Sequence, residues 1–220
     1  MFKKLIFSLI IIISTATMAF AFNPLIIDEG ETLGAGTFLF RANNDYSFTN
    51  SKEMLEPQFA LGIIDNLDLL IGFKSDMTLT VGTDFEAKIM LYKNEFFAFS
   101  LKPVYEITAL APIFAGGKGS YIFDLFAVGS FDLGAFKIHE NVGYDFTNQA
   151  VYLSSSGVYK ASEVVNLVLT FGTEKFAGGD FFGIGGFMFE LGKKVDIELG
   201  VKYQYVGKEV SGLAGLGLKI

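Results

Sequence analysis

The chain has no cysteine, no tryptophan, four prolines and one histidine in 220 residues. Without cysteine, a disulfide scaffold and a thiolate-held zinc or iron–sulfur site are excluded. An excess of positive charge is also lacking. Seventeen Lys and Arg face 24 Asp and Glu, a formal charge of −7, which argues against a nucleic-acid partner. Disorder is excluded by the opposite kind of count: 51% of residues are hydrophobic and 25 are Phe, far too much apolar side chain for a chain that cannot collapse. The mean hydropathy of +0.44 raises the question of a membrane.

The first residues read as an address. Lys3 and Lys4 precede a nearly unbroken apolar run, Leu5 to Ile13, and a smaller, more polar stretch that ends Ala19-Phe20-Ala21. That is the layout of a secretory signal peptide, 1–21, cleaved after Ala21. The run is too short for a spanning helix, which needs roughly 20 apolar residues. Phe22 rather than Cys follows, so lipid attachment at a new N-terminal cysteine is not available. Removing Lys3 and Lys4 leaves 15 basic residues against 24 acidic, about −9 in the mature chain.

Beyond Ala21 no apolar stretch approaches helical spanning length. Ile107 to Gly117 carries Pro112 and a glycine pair and reads largely as a loop. Phe146 to Tyr159 is broken by Thr147-Asn148-Gln149 and Ser154-Ser155-Ser156. The apolar content is instead distributed with period two. Asp196, Glu198, Gly200, Lys202 and Gln204 alternate with Val195, Ile197, Leu199, Val201 and Tyr203. Asp84, Glu86 and Lys88 alternate with Phe85, Ala87 and Ile89, and Ser100, Lys102 and Glu106 with Phe99, Leu101, Pro103, Tyr105 and Ile107. A helix would scatter these charges around its circumference, whereas a strand puts them on one face.

Twelve strands are expected: 31–42, 54–64, 67–76, 79–92, 96–108, 119–129, 133–146, 150–160, 164–173, 181–191, 195–205 and 211–220; ten is the alternative count. Most are about 9–13 residues, the length of a tilted strand crossing a bilayer rather than of an ordinary globular strand. Short connections (Asp65-Asn66, 93–95, 130–132, 161–163, 192–194) alternate with longer ones such as 109–118 and 174–180. This is the plan of an outer-membrane barrel. Residues 22–220 form one domain, with Phe22 to Gly30 a periplasmic lead-in. Aromatics mark two rims: Phe38, Phe40, Phe73, Tyr105, Tyr144, Phe146, Phe171 and Tyr203 at one, Phe59, Tyr92, Phe96, Phe97, Phe136 and Tyr159 at the other, as interfacial girdles require. The phenylalanine excess reads as lipid-facing surface. A secreted soluble β protein is the competing reading, in which the apolar faces would point inward.

Two segments resemble a known family. Leu61-Gly62-Ile63-Ile64-Asp65-Asn66-Leu67-Asp68-Leu69 resembles the periplasmic turn of small bacterial outer-membrane β-barrels of the porin-like transporter type. The final Leu213-Ala214-Gly215-Leu216-Gly217-Leu218-Lys219-Ile220 is similar to the terminal strand that the barrel-assembly machinery reads, with Ile220 standing where an aromatic is usual. The resemblance implies an all-β antiparallel transmembrane barrel in the outer membrane of a diderm bacterium, reached by secretory export. Membrane lipid and the assembly machinery are its implied partners, and the resemblance names no substrate.

If the barrel is open, its lining is expected from Glu56, Asp68, Lys74, Asp84, Glu86, Lys88, Lys102, Glu106, Asp124, Lys137, His139, Asp145, Asp196, Glu198 and Lys202. Nine of these are acidic and five are lysines, so conductance should lean towards cations. The carboxylate pairs Asp84/Glu86 and Asp196/Glu198 continue into Lys88 and Lys202, which suggests charge ladders rather than a metal site. His139 shares a face with Lys137 and Asn141. Ser154, Ser155 and Ser156 on the next strand raise the alternative of a lipid-modifying enzyme, which needs a nucleophile beside a base and a group to orient the base; no such signature surrounds them. Gly183-Ile184-Gly185-Gly186 and Gly212 to Gly217 look like phosphate loops, but neither precedes a helix. No enzyme activity, cofactor or metal is expected. The function expected is a narrow channel for passive diffusion of small solutes; a structural or adhesive barrel without flux is the alternative.

Overall fold

A computed structural model describes residues 29–75, 81–108, 120–173, 181–192 and 194–220. The expected signal peptide and the loop segments 109–118 and 174–180 lie outside the described residues. All regular structure described is β-strand: β1 (Phe38–Ser47), β2 (Glu53–Leu55), β3 (Gln58–Ile64), β4 (Leu67–Ser75), β5 (Val81–Lys93), β6 (Phe97–Thr108), β7 (Ser120–Asp132), β8 (Phe136–Asp145), β9 (Ala150–Lys160), β10 (Val165–Thr173), β11 (Phe181–Glu190), β12 (Val195–Gln204) and β13 (Glu209–Lys219).

Every strand runs antiparallel to its neighbours, and β13 pairs with β1 from Leu39↔Lys219 to Ser47↔Ser211, so the sheet closes. β2 and β3 follow one another along β1 and both reach β4. They are two pieces of one stave, and the wall is a twelve-stave barrel. Closure leaves no edge with unpaired backbone amides, a requirement for any sheet placed in hydrocarbon.

The two faces of the wall hold opposite chemistry. Asp84 and Glu198 are each 1% exposed, while Phe85 and Leu199 are 46% and 48% exposed. Cross-strand partners share a face, so the register assigns the whole wall from such residues. Ile71, Phe85 and Tyr105 are consecutive partners outside, and Gly72, Asp84 and Glu106 are consecutive partners inside. Fully burying a Leu or Phe is worth roughly 1.5–3 kcal/mol, and dozens of large apolar side chains here would forgo it in water. The outer surface is built for lipid, and the barrel is a transmembrane one.

Several boundaries differ from those expected. The first strand starts at Phe38 rather than residue 31, because Gly34 and Gly36 adopt φ of 88° and 73°, a backbone no strand continues through. Phe38 and Phe40 therefore sit beside Phe59, with ring centroids 6.3 and 5.0 Å apart, and not on the rim with Phe73. The turn expected at 130–132 falls at 133–135. Gly134 supplies φ 83°, and Asp132 Oδ1 accepts its N–H at 2.9 Å, the side-chain-to-backbone bond that makes Asp a turn residue. Asn94 does the same at the β5–β6 turn, accepting from Phe96 and Phe97. Nor is every Phe on the outside. Phe126 and Phe182 point inward, under Lys102 and Lys202, each 5.3 Å from the ring centre; Gly143 leaves the space that Phe126 fills.

Candidate functional site

Alternation along each strand carries the charges expected of the lining to the inner face. Near the long-loop end, Asp84 and Glu106 are direct partners, as are Asp124 and Asp145. Lys74 Nζ donates to Glu106 Oε2 at 2.9 Å. Glu56 stands in the break between β2 and β3, within the field of Lys74, Asp84, Glu106 and Asp45. Asp145 is committed to its own turn: its oxygens accept from the Thr147 and Asn148 N–H groups, both at 2.8 Å, and from Asn148 Nδ2 at 2.6 Å.

At mid-height, Lys102 and Glu86 form an ion pair of 3.0 Å with almost no exposure. Lys202 lies 4.0 Å from Asp45. These two pairs run across strands. Lys88 reaches the carbonyl of Glu31 at 3.3 Å, and Lys137 reaches Asp132 at 3.4 Å. Asp68 accepts the Leu33 N–H at 2.9 Å. Asp196 and Glu198 face Gly217 and Gly215 on β13.

The histidine meets a serine, though not one of those expected. His139 Nδ1 is 2.7 Å from Ser130 Oγ on β7, while Ser156, its Cα partner on β9, bonds Thr170 instead at 2.7 Å. Ser130 Oγ also accepts the Gly30 N–H at 2.6 Å, so this hydroxyl is a buried structural group beneath the chain's own N-terminal segment.

Arg41, Asn43, Asp45 and Lys219 also face inward, by register with the inward residues of β13 and β1, and sequence reasoning missed them. The Gly34-Ala35-Gly36 break, had it been used to start the strand at Phe38, would have found Arg41-x-Asn43-x-Asp45. Residues 29–37 enter the barrel at the short-turn end. Beside them lies a cavity of about 180 Å3, lined by Glu29, Arg41, Gln58, Asp68, Glu86 and Lys88 among others. Asp84 Oδ1, Asp124 Oδ1, Asn43 Nδ2 and both amide atoms of Asn141 are buried with no hydrogen-bond partner among the described residues. Buried polar atoms need a partner, and on an inner face that partner is water.

No protein-family model and no curated protein matches the sequence. Solved structures match its fold. The KdgM porin aligns with a TM-score of 0.65 at 11% identity, over 82% of this chain and 98% of that one, and KdgM is also known in complex with disordered oligogalacturonate. The NanC porin aligns at 0.63 and 8% identity, over 82% and 100%. The COG4313 outer membrane channel from Pseudomonas putida F1 aligns at 0.55 and 13% identity, over 89% and 100%. Identities this low speak for the fold alone: a porin-type barrel, whose neighbours are channels rather than enzymes.

Proposed function

We propose that the protein is an outer-membrane channel through which small solutes diffuse passively, exported by a cleaved signal peptide, 1–21, and inserted as a single domain, 22–220. The observation that carries this reading is the inner face: charged and amide groups with buried polar atoms that no group among the described residues satisfies, which call for a wetted interior. Twelve staves lie between the eight that side chains just fill and the 16–18 of wide aqueous pores, so the path is narrow. Carboxylates on neighbouring strands at the long-loop end (Asp84, Glu106, Asp124) outnumber the lysines there, and a pore lined this way favours cations. The last strand, ending Leu218-Lys219-Ile220, is the segment we assign to recognition by the assembly machinery.

A barrel without flux is the second reading. It is favoured by the Lys102–Glu86 pair at mid-height and by the inward course of residues 29–37. Liposome swelling separates the two: the channel admits small sugars or amino acids, and a sealed barrel gives no swelling. Planar-bilayer reversal potentials then test the charge argument, with cation preference expected and anion preference overturning it.

A further inference from the structure

Residues 29–35 do not merely lead into β1. Gly30 is gripped between two strands: its N–H donates to Ser130 Oγ at 2.6 Å and its carbonyl accepts from Ser100 Oγ at 2.5 Å. A Cβ there would stand 2.5 Å from the Ala98 carbonyl oxygen, so only glycine fits. The chain then passes along the mouth to the β3–β4 turn. Thr32 Oγ1 donates to the Asp65 carbonyl at 2.6 Å, the Leu33 N–H to Asp68 Oδ2 at 2.9 Å, and the Ala35 N–H to Asp65 Oδ1 at 3.2 Å. Glu31 adds an ion pair to Lys93 at 2.5 Å. The segment is thus held on β6 and β7 at one end and at the β3–β4 turn at the other.

Glu29 completes the arrangement. It stands in the field of Arg41 on β1, Lys88 on β5, and Lys137 and His139 on β8. β1 and β8 are six staves apart in a ring of twelve, so cations from opposite walls converge on one carboxylate. Between Glu29 and the wall formed by Phe96, Ala98, Ser130 and His139 the space left is about 20 Å3, room for about one water molecule.

We propose that residues 29–35 form a stopper in the short-turn mouth, with the Glu29 carboxylate as its latch in the basic ring of Arg41, Lys88, Lys137 and His139. The channel conducts fully only when the latch is released and the segment swings out. This rests on the channel reading above. The contacts named above that hold the segment are hydrogen bonds and an ion pair, the kind of element that opens locally without unfolding the barrel.

The test is single-channel recording on the full chain. Glu29→Gln removes the charge and keeps the shape, and should raise the open fraction on the order of tenfold, within the roughly 5–150-fold range of a single coupling free energy. The second variant uses the absence of native cysteine. Thr32→Cys with Asp65→Cys places two thiols on residues whose side chain and backbone carbonyl are already 2.6 Å apart. Oxidation should hold the channel in its low-conductance state, and reduction should restore the fluctuating one. Wild-type conductance in E29Q, together with identical traces for the oxidised and reduced pair, overturns the stopper and leaves the channel standing. A folded barrel with no conductance in any variant overturns the channel itself, and the stopper with it.

Discussion

The inner and outer faces of the wall are made from the same strands, one residue apart. On β5, Asp84, Glu86 and Lys88 point in and Phe85, Ala87 and Ile89 point out. A soluble sandwich assigns these faces the other way round, so alternation alone does not distinguish the two. Closure and exposure do: the charged face is the concave one and the apolar face has none of the described residues packed against it. The inner face is also not uniform. In its long-loop half the carboxylates outnumber the lysines, and its short-turn half is crossed by the chain's own segment 29–37. The contrast between faces can be broken at chosen places.

The largest effect is expected where the inner face is driest. Replacing Lys102 by Met leaves Glu86 buried beside an apolar group. Breaking a buried pair in this way costs about 3–5 kcal/mol, and urea unfolding in lipid vesicles reads it. The double change Lys102→Met with Glu86→Leu should recover most of the loss. A cost of K102M below about 1 kcal/mol, the level of a solvated pair, would mean that water reaches this level of the lumen freely.

The seat of Gly30 comes next. Gly30→Val forces a side chain against the Ala98 carbonyl. Overpacking costs typically about 1–3 kcal/mol, and here the segment alone has to yield. Conductance should rise while the unfolding midpoint of the barrel moves little. A large fall in the midpoint would show that residues 29–37 are part of the wall.

Glu29 also gives the comparison a pH axis. Burial pushes its carboxyl up, but the charges of His139, Arg41, Lys88 and Lys137 together hold it below the ordinary value of 4.5. A depressed carboxyl contributes stability that is present above 4.5 and is lost as pH falls through the folded-state value. The stopper should therefore stay seated through neutral pH and down to 4.5, and conductance should rise only in more acid solution. A rise centred above pH 5 in the wild-type chain would assign the latch to another group.

How much of this was legible beforehand follows from where local rules act alone. The strand pattern from β4 to β13 was readable because hydrophobic period and short turns agree there. The Ser130-Phe131-Asp132 turn was misplaced by three residues because the left-handed Gly134, not the charge, sets the corner. The first stave was expected from residue 31 because Leu33 to Ala42 is apolar enough to pass for a strand, while Gly34 and Gly36, which hold its start back to Phe38, carry no hydropathy signal. That error also hid Arg41 and Asp45. The Ser130–His139 contact and the convergence of cations on Glu29 depend on register between distant strands, which no single-strand pattern contains.

The smallest effect concerns the outer face and its one exception. Glu140 is the only charged side chain on that face between the rims, among the described residues. Its outward neighbours by register are Gly129 and Ser155, and Ser155 Oγ donates to its Oε1 at 2.8 Å. It stands midway along β8, with Phe136, Ile138, Val142 and Tyr144 outward on the same strand. A carboxyl group at mid-depth on a lipid face is destabilising, less for Glu than the roughly 2–4 kcal/mol of Lys or Arg, and one donor offsets only part of that. Glu140→Val should therefore stabilise the barrel in lipid vesicles by about 1 kcal/mol. Ser155→Ala, which removes the donor and keeps the buried acceptor, should destabilise it by a similar amount. If E140V destabilises instead, the surface around Glu140 meets protein rather than lipid, and the outer face is not a single surface.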